Sequence, residues 1–180
     1  NGKTVITSIA KKGNKVFLAD AGNRKIFVFD LQGRKRNAFE GVSGSSVLHG
    51  FIVPSPYFDI AVNPDGELWV VNPGVHALQH YTEEGNLENF WDKPAMNIRG
   101  FSGCCNPAHF TFLPNGHFVT SEKKMVCIKE YSEKGEFLSV VASPERFTDQ
   151  GQAPEVVTDK TGHIIALDFD KKLIRFFQPK

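Results

Sequence analysis

Two adjacent thiols, Cys104 and Cys105, lie in the stretch Arg99-Gly100-Phe101-Ser102-Gly103-Cys104-Cys105-Asn106-Pro107-Ala108-His109, with an imidazole four residues after the second and a guanidinium upstream. Thiolates and imidazoles are ligands for zinc and other borderline or soft metals, so Cys104, Cys105 and His109 form one candidate transition-metal set. A nearby Arg or His can also depress a thiol pKa and leave a nucleophilic thiolate. The third reading is structural, because free cysteines commonly pack as small hydrophobes and a vicinal pair can close into a strained disulfide. Cys127 lies on a different segment and joins the set only if the fold carries it there. Spacing alone leaves all three readings open.

A second loop, Ile52-Val53-Pro54-Ser55-Pro56-Tyr57-Phe58-Asp59, offers a proline-stiffened aromatic with a polar tip and an acid. Tyr57 and Asp59 are therefore candidate ligand-binding residues alongside Arg99, Asn106 and His109. His76 and His80 stand four apart, which suits a metal on a helix but places them two pleats apart on a strand. His117 and His163 each follow a turn glycine and are expected to be turn residues. Ser102 has no flanking nucleophile-elbow pattern, and these 180 residues contain neither a Gly-rich phosphate loop nor a His-Glu-x-x-His pattern. Standard hydrolase or nucleotide chemistry is not expected.

The elements that hold these loops repeat. Gly13 to Asp20, Gly66 to Asn72, Gly116 to Glu122 and Gly162 to Asp168 superimpose, each a glycine, a polar residue and an apolar run that ends in an acid or amide. Six residues after Asp20, Asn72, Glu122 and Asp168 stand Ile26, Leu78, Ile128 and Ile174, and nine residues after them Phe29, Tyr81, Tyr131 and Phe177. Thirteen residues after the first three stand Gly33, Gly85 and Gly135. Period-two or continuous runs of Val, Ile and Phe between Asn-Pro-Asp-Gly, Leu-Pro-Asn-Gly and Lys-Thr-Gly turns are strands. For the second copy the predicted strands are Phe58 to Val62, Leu68 to Val71, Ala77 to Tyr81 and Asn86 to Trp91. The one helical turn expected is Pro144 to Thr148. Spacings near fifty residues match propeller blades. The prediction is an all-β chain, a single β-propeller domain or fragment over residues 1–180, with four blades of four antiparallel strands at about 4–40, 57–92, 107–142 and 154–180, the last incomplete.

In such a strand order, the links into each inner strand and the hairpins between second and third strands share one face around the channel, the default binding face. That face is expected to carry Asp20, Asn23, Arg24, Asn72, Glu122, Lys123, Asp168 and Asp170. The recurring acids could ring a channel cation, but the simpler expectation is that each caps its own turn. With 21 Lys and Arg against 20 Asp and Glu, the formal charge of +1 supplies no field for a polyanion. Nucleic acid is not an expected partner, although Lys171, Lys172 and Arg175 beside Arg24 and Lys25 would be the place for it. No stretch reaches the roughly 18 apolar residues of a membrane helix, and the start at Asn1-Gly2-Lys3 has no signal segment, so a mature or truncated chain is expected. Three cysteines are too few for a disulfide framework.

The segments Val16 to Phe29 and Phe58 to Gly66 resemble the NHL repeat, and the resemblance covers most of the chain. Gly103-Cys104-Cys105-Asn106-Pro107 followed by Val119-Thr120-Ser121-Glu122-Lys123 is similar to a bacterial group of NHL-repeat proteins with vicinal cysteines. That resemblance implies a six-bladed ring of which these blades are the C-terminal part, and an exported protein, periplasmic, secreted or lipid-anchored. NHL propellers bind proteins or RNA, and related six-bladed folds host metal-using lyases and lactone hydrolases. Because fold does not fix function, two functions are carried forward. The preferred one is a non-catalytic scaffold that presents one loop face to a protein or small-molecule ligand, with self-association an option for covering open blade edges. The alternative is a metal- or thiol-dependent enzyme or redox protein centred on Cys104, Cys105 and His109.

Overall fold

The computed structural model describes residues 3–42 and 50–178. Its strands are β1 (Ile6–Lys12), β2 (Lys15–Asp20), β3 (Lys25–Asp30) and β4 (Lys35–Phe39), then β5 (Ile60–Val62), β6 (Leu68–Asn72), β7 (Ala77–Tyr81) and β8 (Leu87–Asp92). They continue as β9 (His109–Phe112), β10 (Phe118–Glu122), β11 (Cys127–Tyr131) and β12 (Phe137–Ala142), and end with β13 (Glu155–Thr158), β14 (Ile164–Asp168) and β15 (Leu173–Phe177). Each group forms its own antiparallel sheet in sequence order, four strands in the first three and three in the last. These are four blades of a β-propeller. Residues 179–180, assigned to the fourth blade from sequence, lie outside the described residues.

A lone four-stranded sheet leaves both faces wet, so blades are stable only when stacked. The burial pattern records the stacking. β6, β7, β10 and β11, in the two middle blades, are buried at every position, whereas β2 and β14 in the outer blades have a more accessible face. Three apolar clusters fill the three joints. Phe17, Ile26, Phe39, Phe51, Phe58 and Tyr81 join the first two blades, Trp69, Trp91, Phe101, Phe118 and Tyr131 the second pair, and Ile128, Phe147, Val156 and Ile164 the third. The outward faces keep exposed apolar residues, Ile6 and Ile9 on the first blade and Val157, Leu173, Ile174 and Phe176 on the fourth.

The turn glycines serve two purposes. Gly66, in the Asn63-Pro64-Asp65-Gly66 turn, has φ +81 and donates its N–H to the Asn63 carbonyl at 2.9 Å, a conformation that disfavours any side chain. Gly85 and Gly135 also have positive φ, and each lies against an aromatic of the preceding blade's outer strand. A Cβ at Gly85 would stand 2.5 Å from Phe39, and one at Gly135 would run into Trp91. At Gly33, the equivalent in the first blade, a Cβ would meet nothing within 4 Å.

The expected strands hold to within a residue or two, with two local differences. The second inner strand starts at Ile60, because the Phe58 ring packs into the first joint while the Asp59 carbonyl accepts from Val71 N–H at 2.9 Å. A 3-10 turn at Pro73–Val75 was not foreseen; proline fixes φ there, and His76 closes the turn at φ 56. The expected turn after Ser143 is present as Pro144–Arg146.

Candidate functional site

The inner strands β5, β9 and β13 run side by side, β5 against β9 and β9 against β13, and each begins with a group that can ionise or lies directly after one. Asp59 precedes β5, His109 opens β9 and Glu155 opens β13. These are equivalent register positions: Asp59 opposes Val71, His109 opposes Ser121 and Glu155 opposes Leu167. Stacking three blades therefore brings the three side chains to one point at the channel mouth, with their ligand atoms within 4.8 Å of one another.

Asp59 is held rigidly. Its Oδ1 accepts from the Ile60 N–H at 2.9 Å and its Oδ2 from the Phe110 N–H of the next blade at 3.0 Å. His109 Nδ1 lies 3.1 Å from Glu155 Oε2 and 3.8 Å from Asp59 Oδ2. Burial favours the neutral imidazole, but the Asp59 hydrogen bond and the two carboxylates outweigh it and raise the His109 pKa. Burial likewise raises the Glu155 carboxyl, with Asp59 adding repulsion and His109 opposing. Tyr57 closes one side, its ring edge-on to the imidazole at 5.3 Å between centroids. Burial raises its phenol, which has the Ala153 backbone beside it. Lys123 Nζ stands 5.0 Å from the Tyr57 centroid and donates to Ser55 Oγ at 3.0 Å. Such an arrangement can hold a proton between two carboxylates, accept donors from a ligand, or ligate a cation.

The cysteine loop is a neighbour of this site and not its centre. Cys104 is exposed, Cys105 and Cys127 are buried, and all three are free thiols. The sequence expectation of a Cys104, Cys105 and His109 ligand set is not what the geometry gathers: among the described residues, only Asp59, His109 and Glu155 converge as potential ligands. The reason is that the strand ladder takes over at Ala108, whose N–H donates to Ser121 O at 2.9 Å, so His109 points with its blade while the thiols stay in the loop. The buried Cys105 thiol is pushed up by burial, with the Ser55 hydroxyl opposing. Cys104 is lowered by its hydrogen bond with Cys105 and by the Lys124 charge. Cys127 is pushed up to about 12 by burial and by Glu122, and is not part of the loop.

Asn106 is fully buried and consumed as a clip. Its Nδ2 donates to Ser102 O at 2.7 Å and Lys123 O at 3.2 Å, and its Oδ1 accepts from Lys123 N–H at 3.0 Å. It positions Lys123 and is not offered to a ligand. Arg99 lies away from the mouth, its guanidinium over the Phe137 ring of β12 at 5.8 Å. Of the five expected ligand-binding residues, Tyr57, Asp59 and His109 come together, while Asn106 and Arg99 have structural places.

Of the four recurring acids and amides, Asp20 and Asp168 cap their own turns, whereas Asn72 holds the incoming link and Glu122 pairs with a lysine. Asp20 Oδ1 accepts from Val5 N–H at 2.9 Å and Asn23 N–H at 3.1 Å. Asn72 Oδ1 accepts from Ile52 N–H at 2.9 Å, and Asp168 Oδ1 from Lys171 N–H at 3.1 Å. Asp170 Oδ2 accepts from Gln152 N–H at 2.8 Å. Glu122 instead faces Lys129 in a fully buried ion pair. Arg175, expected in a basic patch, is bound to Asp168 at 2.8 Å. His117 pairs with Glu130 at 2.8 Å and His163 with Asp159 at 3.0 Å beside their turns. His76 meets the Asn106 carbonyl at 3.0 Å, and His80 stacks on Trp69.

Glu155 escaped the sequence reading, yet a signal for it exists. Asp59, His109 and Glu155 each stand thirteen residues before Asn72, Glu122 and Asp168. In the first blade a register shift puts Ser8 in that place, opposite Ala19; its Oγ accepts from Ile60 N–H at 3.3 Å, and the neighbouring Thr7 Oγ1 donates to Phe58 O at 2.6 Å.

No family model and no curated protein sequence matches the chain. Solved structures do. The chain is similar to virginiamycin B lyase from Staphylococcus aureus at 14% identity and TM-score 0.61, covering 98% of this chain and 56% of that one. It is also similar to a chain of a nidogen/laminin complex at 14% identity and TM-score 0.65, covering 92% and 57%. A third is the extracellular domain of a protein assigned to a hybrid two-component system of B. thetaiotaomicron, at 12% identity and TM-score 0.60, covering 99% and 23%. The chain spans just over half the length of the first two. At these identities the likeness establishes the fold alone. No helix among the described residues is long and apolar enough to cross a membrane.

Proposed function

We propose that this chain is the ligand-presenting part of an NHL-like propeller that works outside the cytoplasm as a binding scaffold, without catalysis of its own. The observation that carries this reading is the convergence of Tyr57, Asp59, His109, Glu155 and Lys123 where three inner strands begin, on backbone locked by three stacked blades. Most other recurring polar side chains are engaged in turns or ion pairs, and two of the three thiols are buried and hard to ionise. A small polar ligand, or a polar side chain of a protein partner, fits a mouth that offers carboxylate acceptors, an imidazole and an aromatic edge. The extracellular two-component domain among the similar structures supports the location, and the nidogen/laminin complex supports a binding role.

The test is a thermal-shift screen of small polar ligands and candidate protein partners, with hits followed by calorimetry and a turnover assay. The expected outcome is a binder that is not consumed and whose affinity falls about tenfold or more, roughly 1.4 kcal/mol, in Tyr57→Ala. Turnover of a hit that is abolished by Cys105→Ala or His109→Ala would overturn the scaffold reading in favour of an enzyme.

A further inference from the structure

We infer that Asp59, His109 and Glu155 form a binding site for a divalent transition metal that prefers nitrogen and oxygen donors, with zinc as its readiest occupant. The inference deepens the scaffold reading by giving the channel mouth a metal through which a ligand could be held.

The geometry comes first. Donors about 2.1 Å from a zinc ion stand roughly 3.4 Å apart around a tetrahedral centre. His109 Nδ1 lies 3.1 Å from Glu155 Oε2 and 3.8 Å from Asp59 Oδ2, which brackets that spacing. The donors come from three separate strands, so the site is built by the packing of three blades and not by one floppy loop. Asp59 is fixed by two backbone amides, the kind of outer support that orients a ligating carboxylate. Glu155, with 42% of its side chain exposed, has room to adjust within a set of ligand atoms that all lie within 4.8 Å of one another.

The chemistry agrees. One imidazole and two carboxylates suit zinc, manganese or ferrous iron, whereas calcium and magnesium favour sites made of oxygen alone. Two carboxylates meeting in a largely buried place carry more negative charge than one imidazolium can offset, and a dication relieves it. Three protein ligands also leave a coordination position open, the arrangement found where a metal meets a further ligand.

The experiment uses this chain purified without chelator and stripped by dialysis. Zn2+ is titrated by calorimetry, and Co2+ by absorption spectroscopy, into the native protein and the variants Glu155→Gln, His109→Gln and Cys104→Ser. The expected result is one ion per chain, with affinity reduced at least about tenfold in Glu155→Gln and in His109→Gln and unchanged in Cys104→Ser. The cobalt spectrum should contain no sulfur-to-metal charge-transfer band. Because Glu155 is partly exposed, Glu155→Gln should keep the native circular dichroism, so its loss of affinity is not a folding defect. Absence of binding, binding that survives both Glu155→Gln and His109→Gln, or a sulfur-to-cobalt band lost in Cys104→Ser would each overturn the site. Screening ligands with and without Zn2+ separates the two readings. Ligands bound equally by metal-free protein refute a ligand-holding role for the metal and leave the scaffold standing, whereas turnover by zinc-loaded protein refutes the scaffold and leaves the metal site standing.

Discussion

Replacing Glu122 or Lys129 probes an ion pair that is fully buried, and the two replacements should behave differently. Lys129 has no exposed surface and Glu122 almost none. Removing one partner of such a pair usually costs about 3 to 5 kcal/mol, because the other charge is left without compensation. Glu122→Gln, which mimics the protonated carboxyl, should cost little near neutrality and should remove the pH dependence that this carboxyl brings, since Lys129 Nζ still donates to Gly100 O at 2.7 Å and lies over the Phe101 and Tyr131 rings at 5.3 and 5.6 Å. Lys129→Met leaves a carboxyl that can take up a proton instead. Burial already pushes Glu122 up to about 7 despite Lys129, from an ordinary value of 4.5. The folded state therefore binds this proton more tightly than the unfolded chain. The site's stabilisation is complete below about pH 4.5 and is lost as pH rises through about 7, on the order of 3 kcal/mol in all. Without Lys129 the folded-state value climbs further, so Lys129→Met should keep losing stability above neutrality at roughly 1.4 kcal/mol per pH unit. The assay is urea unfolding followed by tryptophan fluorescence, since Trp91 packs on Tyr131 at 5.2 Å and on Phe101 at 5.7 Å. Stabilities measured from about pH 5 to about pH 8 decide the matter. A Glu122→Gln protein that keeps the parent's fall in stability between about pH 5 and about pH 8, or a Lys129→Met protein with a flat pH profile, would refute the account.

Two further expectations follow from the turn caps and the thiols. Asp20→Ala removes an acceptor for two backbone N–H groups and for Asn23 Nδ2 and should cost about 2 kcal/mol in urea unfolding. Burial would raise the Asp20 carboxyl, but the Asn23 and Val5 hydrogen bonds hold it below the ordinary range, so its stabilisation should persist above that range and vanish as pH falls through the lowered value. Thiol titration of the native protein should find Cys104 fast and Cys105 and Cys127 reactive only after denaturation; a second fast native thiol would contradict their burial.

The blades were legible because turn glycines, apolar runs and aromatic positions recur at fixed offsets, and strand pairing follows such local patterns. Tyr57, Asp59 and His109 were legible because they lie on links into inner strands, which a propeller turns towards one mouth. Glu155 was not singled out, since an acid at the start of a strand looks like a solvated end until three blades are stacked. Arg99 and Asn106 take contacts within the protein that their sequence does not announce, for a related reason. A sequence shows that a polar residue sits in an unusual loop, but whether it faces a ligand or clips the loop depends on which backbone groups the neighbouring hairpin leaves unpaired. For Asn106 those groups belong to Lys123, seventeen residues away.

Gly33 carries a meaning beyond its own turn. At Gly85 and Gly135 the missing side chain makes a seat for a ring from the adjacent blade, and Gly33 keeps the same vacant seat with no ring in it. The first two joints are therefore keyed by shape, the ring of one blade's outer strand entering the glycine turn of the next, whereas the third blade carries the small Ala142 at the position that Phe39 and Trp91 hold.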